Sequence, residues 1–142
     1  RMHRRAKLYV SLAYSADEIK SALSDAARAV GTRVAFTLAA GASFFGPYLT
    51  DEVVHVYVRG LERGFVEMAK LEEVSFGGNV IVYQAPDEGI FYRPTAEREG
   101  EGGDYHREVG PVCAVQLYLD MRAAGGRYAE QARRFREEVL GY

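Results

Sequence analysis

From Pro111 to Leu140 the chain reads PVCAVQLYLDMRAAGGRYAEQARRFREEVL, and this run constrains the fold more than any other. Pro111 suits the first turn of a helix, where its missing N–H is not needed. From Val112 to Ala124 the residues, Cys113 among them, are apolar nearly all round, which predicts a helix buried on most sides. Gln116 and Asp120 interrupt it four positions apart, so they share a face. Gly125-Gly126 stops that helix. A second follows with Tyr128, Ala132, Phe135 and Val139 as its apolar stripe and charges elsewhere.

Upstream of this helix pair, strands and helices are mixed. Lys7 to Ala13 reads as a strand, with Leu8, Val10 and Leu12 on one face and Tyr9 and Ser11 on the other. Ser15 and Glu18 make a capping box for a helix that buries Ile19, Ala22, Leu23, Ala26, Ala27 and Val30 and ends at Gly31. Arg33 to Phe36 is extended, and Thr37 is placed to cap a short helix, Leu38 to Phe45, whose small residues allow close approach. Glu52 to Arg59, built around VVHVYV, is the best strand and a central one. A helix over Leu61 to Lys70 is weakened by Gly64. Asn79 to Gln84 and Gly89 to Arg93 predict a hairpin, and Pro94 to Glu108 a polar loop. The expectation is an α/β (or α+β) fold. A mixed sheet of about five strands is packed by helices and ends in a two-helix C-terminal hairpin.

The chain has 142 residues, enough for one core, so residues 1–142 read as a single domain. A net charge of −2 gives no global basic field to draw it onto nucleic acid. One cysteine rules out an internal disulfide. No apolar run is long enough to span a bilayer, so no membrane partner is expected and the cytoplasm is the expected compartment.

No catalytic set assembles from the residues. A nuclease needs an acidic residue on one strand and E-x-K on the next to hold a metal and activate water. Glu18-Ile19-Lys20 is such a triplet, but the capping box puts it at the start of a helix. His3, His55 and His106 are scattered, which gives no metal or cofactor site. Gln116 and Asp120 are either a functional pair or a satisfied buried network. If Asp120 is buried it needs a donor, and Arg127 is the expected one. Arg133, Arg134 and Arg136 either contact nucleic acid or an acidic partner, or form a solvated face balanced by Glu130, Glu137 and Glu138.

Val109-Gly110-Pro111, Val115 to Asp120, Gly126-Arg127, and Glu130-Gln131-Ala132 with Arg136 form a block with a known counterpart. It resembles the C-terminal end of the AbiEi-like antitoxins of type IV toxin–antitoxin (abortive infection) systems. Val112-Cys113-Ala114 departs from that pattern as a small insertion. Upstream, Thr37 to Ala42 resembles the family's alanine-rich helix, Val56-Tyr57-Val58 its central strand, and Gly78-Asn79-Val80 with Val82 a strand start. The resemblance implies the non-catalytic effector part of an antitoxin and transcriptional autoregulator. It implies a functional link to a nucleotidyltransferase-like toxin, and DNA binding through a winged helix-turn-helix domain absent from this chain. Gln116, Tyr118, Asp120, Gly126 and Arg127 would form its signature corner, with no cofactor. Arg1, His3, Arg4 and Arg5 read either as a basic linker stub or as a solvated tail. Two other readings stand beside it. A nucleotide- or nucleic-acid-processing enzyme predicts a pocket lined by carboxylates such as Asp51, Glu52 or Asp120. An oligomerisation module, with a second copy as partner, predicts an apolar surface patch.

Overall fold

The valine-rich run at Val54–Val58 (β3) is the strand about which the others are ordered. The structure, a computed structural model, describes residues 6–13, 15–48, 50–59, 63–85, 90 and 109–141. The N-terminal arginines and the loop expected over 94–108 lie outside those residues. In chain order the elements are β1 (Ala6–Val10), α1 (Ala16–Val30), β2 (Val34–Thr37), α2 (Leu38–Ala42), β3 and α3 (Arg63–Met68). Then come β4 (Glu72–Glu73), β5 (Val80–Gln84), β6 (Val109–Pro111), α4 (Ala114–Ala124), α5 (Tyr128–Phe135) and a π-helical turn, Arg136–Leu140.

The strands form one six-stranded mixed sheet in the order β4-β1-β5-β3-β2-β6, against about five expected. β3 runs parallel to β5 and antiparallel to β2, and β2 runs parallel to β6. Alternation along the strands separates two faces. Val34, Phe36, Val54, Val56, Val58, Val80 and Val82 form one core with Ile19, Leu23 and Phe65 from α1 and α3. Ala35, Tyr57 and Tyr83 form the other with Leu117, Met121, Tyr128 and Phe135 from α4 and α5.

α1 follows its sequence signals. Ser15 Oγ accepts the Glu18 N–H at 3.2 Å, and Gly31 closes the helix at φ 76. The Tyr128, Ala132, Phe135 stripe is buried as expected. Four expectations are corrected. Pro111 lies in edge strand β6 opposite Phe36, where a proline loses no ladder bond on its outer side, and Cys113 becomes the N-cap of α4. α4 is not buried on most sides, since Val115 and Leu119 are 56% and 48% exposed. Thr37 does not cap α2, because its hydroxyl is committed elsewhere. Finally, β5 is paired on both edges, by β1 and β3, which leaves no edge for a hairpin partner. The partner strand expected over 89–93 falls outside the described residues except at Ile90.

Two glycines are required by close approach. A Cβ on Gly41 would stand 2.4 Å from the Phe36 carbonyl oxygen, so α2 can lie against β2 only with glycine there. A Cβ on Gly78 would likewise stand 2.5 Å from the Tyr9 carbonyl oxygen, where the chain crosses β1 between β4 and β5.

Candidate functional site

Asp120 is the one buried carboxylate among the described residues, 2% exposed on the inner side of α4. Thr37 Oγ1 donates to its Oδ2 at 2.7 Å and Tyr57 OH at 3.0 Å, while Gln116 Nε2 donates to Oδ1 at 2.8 Å. The acceptor capacity of the carboxylate is met by neutral donors from β2, β3 and its own helix. Burial pushes its pKa up, partly offset by those hydrogen bonds. Arg127, the donor expected from sequence, is not there. Its Nη2 donates instead to the Thr50 carbonyl at 2.7 Å.

The donors reach Asp120 because β2 passes into α2 with no loop between them. Leu38 makes the corner at φ 56, a left-handed conformation costly for a branched side chain and held by its burial at 2% exposure. This turn leaves Thr37 facing α4 and presents the Ala39 N–H to Tyr128. The Tyr128 hydroxyl accepts that N–H at 3.3 Å and donates to Asp51 Oδ2 at 3.0 Å. Burial, then the Asp51 charge, raises the Tyr128 pKa. Beside this cluster Tyr83 stacks on His55, with its hydroxyl 2.9 Å from Nδ1. Burial and the Asp120 charge push Tyr83 up to about 12, and burial lowers His55.

Gly125 and Gly126, at φ 64 and 52, turn the chain from α4 into α5 and set Arg127 and Tyr128 against the segment entering β3. That segment borders a pocket of about 780 Å³. Thr50, Asp51, Glu52 and Arg127 line one part, and Ser15, Ile19 and Asn79 another. Asn79 also brackets Ser11, accepting its N–H at 2.8 Å and donating to its carbonyl at 3.1 Å. Asp51 and Glu52 therefore do line a pocket, but the buried Asp120 does not.

The sequence-predicted residues divide accordingly. Gln116, Tyr118 and Asp120 lie on α4, and Gly126 and Arg127 follow its end; Gln116 and Asp120 meet, while Arg127 bonds elsewhere, to Thr50. Arg133 is bound by Glu130 and Glu137, and Arg134 by Glu138, which favours the solvated, internally balanced face for these two. Sequence reasoning missed Thr37 and Tyr57 as donors to Asp120 and Tyr128 as the link to Asp51. Only the even-odd alternation of β3, which puts Tyr57 opposite the valines, gave a hint. Lys20 of the E-x-K triplet is turned away, donating to Ala40 O and Ser43 Oγ. No group of metal-ligating residues occurs among the described residues, and none of their helices is long and apolar enough to cross a membrane. No family model matches the chain, and no curated protein or solved structure matches it.

Proposed function

We propose that the chain is the effector domain of an AbiEi-like antitoxin and transcriptional autoregulator of a type IV toxin–antitoxin system, acting in the cytoplasm without catalysis of its own. One observation supports this reading: two residues of the C-terminal block, Asp120 and Arg127, each tie the helix pair to the rest of the domain. Asp120, which also accepts from Gln116 of its own helix, ties α4 to β2 and β3, and Arg127 ties the glycine corner to Thr50. Residues spent on holding the helix pair against the sheet and against Thr50 fit a domain that presents a shape better than one that supplies reacting groups. Abortive infection through a nucleotidyltransferase-like toxin is the setting this implies, with DNA contacted by a winged helix-turn-helix domain outside this chain.

The test is co-expression with a nucleotidyltransferase-like toxin sought in the adjacent gene, paired with gel shift on the chain's own promoter region. The chain should restore growth. Arg127→Ala, which frees the 50–53 segment, should weaken rescue at unchanged protein level. A promoter shift should require the product of the whole reading frame. Growth arrest unaffected by the chain would refute the reading.

The pocket favours one second reading, an enzyme or ligand-binding domain working through Asp51 and Glu52. Asp51→Asn and Glu52→Gln separate the two. Toxin rescue that survives both substitutions leaves the effector reading standing and removes the pocket reading.

A further inference from the structure

Along β3 the valines turn to the apolar face and His55 and Tyr57 to the other, which sets a titratable ring in the middle of the sheet. His55 stands opposite Thr37 of β2 and Ile81 of β5. Its ring stacks on Tyr83, and its Nδ1 lies 2.9 Å from the Tyr83 hydroxyl. The charged groups on this side are Asp51, at the entry to β3, and Asp120 of α4, which accepts from Thr37. The titratable ones are Tyr57 and Tyr83 of the sheet and Tyr128 of α5, which donates to Asp51.

The hydrogen between His55 and Tyr83 can be assigned. Tyr83 is 6% exposed, and with its pKa pushed up to about 12 it keeps its hydroxyl hydrogen at neutral pH. Among the described residues, Nδ1 of His55 is the acceptor within reach of that hydroxyl. If Nδ1 carried the ring hydrogen it would donate to Tyr83, leaving a buried hydroxyl hydrogen with nothing to bond, which is costly. Tyr83 therefore donates, and His55 carries its hydrogen on Nε2. A second proton can then enter the ring only at Nδ1, where Tyr83 already donates. Charging His55 and keeping its bond from Tyr83 exclude each other.

We propose that the His55–Tyr83 pair is an acid-sensitive latch on the α4–α5 side of the sheet. A proton taken from solvent onto Nδ1 expels the Tyr83 hydroxyl, and the displaced ring disturbs Tyr57, whose centroid is 5.3 Å away. Tyr57 donates to Asp120, which ties α4 to the sheet, so the helix pair loosens. α1 and α3 pack on the opposite face and stay closed. The device belongs to the domain's own conformation and is independent of the antitoxin reading.

The test is NMR of the whole chain from neutral to acid pH. At neutral pH the His55 nitrogen shifts should show Nδ1 bare and Nε2 protonated. Hydrogen exchange, corrected for the chemical rate at each pH, is then compared with that of His55→Gln. The glutamine oxygen can accept from Tyr83 but cannot charge, and the variant keeps Asp120. Relative to it, protection at Leu117 and Met121 in the parent should fall roughly tenfold per pH unit from about 6.5 down to the folded His55 value, one proton being taken up on opening. Protection at Leu23 in α1 should not. Tyr83→Phe has no hydroxyl to expel, so it should raise the His55 midpoint and remove the slope in the helix pair, even if His55→Gln fails to fold. A hydrogen found on Nδ1, a protection ratio that stays flat with pH, or a slope shared equally by α1 would overturn the proposal.

Discussion

The two faces of the sheet solve different problems. Against α1 and α3 the contact is hydrocarbon alone: seven valine and phenylalanine side chains of β2, β3 and β5 meet Ile19, Leu23, Ala26, Ala27 and Phe65. Against α4 and α5 the same strands present Thr37, His55, Tyr57 and Tyr83, and the helices answer with Asp120 and Tyr128. Burying a carboxylate is costly even when it is fully hydrogen-bonded, and an apolar replacement of equal shape is often no less stable. The first face holds the fold together. The second accepts a cost in stability to fix where α2, the glycine corner and the 50–53 segment stand relative to one another.

That contrast can be broken most forcefully on the apolar side. Phe65, wholly buried on α3, should lose about 3–5 kcal/mol on substitution by alanine, read from urea denaturation. Its loss should leave any function of the 50–53 segment intact at temperatures where the variant is folded. Asp120→Ala should come next, at about 2–4 kcal/mol, because it takes the acceptor from two buried donors and a half-buried one at once. Tyr128→Phe keeps the ring and removes two hydrogen bonds, for a loss of about 1 kcal/mol. Its larger consequence should be local: hydrogen exchange at Val53, whose N–H is held by Asp51 Oδ1, should quicken while exchange in β5 does not.

The apolar face was largely legible in the sequence and the polar face was not. Ser15, Gly31 and the spacing of Ile19, Leu23 and Ala26 mark α1 within a short window, and alternation marks β3. Each signal is local, and so is the physics behind it. Asp120 takes its donors from residues 83 and 63 positions away, and nothing in a helical repeat points to Thr37 or Tyr57. Arg127 was the expected donor because it is near in sequence, but the positive φ of both corner glycines turns it outward to Thr50. Pro111 failed for the same reason: its place on an edge strand depends on β2, far upstream. Hydropathy also overstated burial on α4, since Val115 and Leu119 are apolar yet face away from the sheet.

pH sharpens the comparison further. The raised pKa of Asp120 means that the folded state holds this proton more tightly than the unfolded chain does. Its contribution to stability is therefore complete below the unfolded carboxyl value of about 4 and is lost as pH rises through the folded one. His55 acts in the other sense. Burial lowers its pKa, so its contribution is present above about pH 6.5 and is lost as pH falls through the folded value. The two slopes oppose each other in the intact chain, and a single variant separates them.

That variant is Asp120→Asn, compared with the parent chain by chemical denaturation across the acid to neutral range. The asparagine oxygen can still accept from Thr37 and Tyr57, and Gln116 can turn its amide to accept from the new NH2. If Asp120 is an acceptor that organises the corner, the variant should match or exceed the parent at neutral pH. Its advantage should shrink steadily as pH falls towards the unfolded carboxyl value. A variant that is destabilised at every pH, or one that follows the parent's slope throughout, would contradict the account of the polar face.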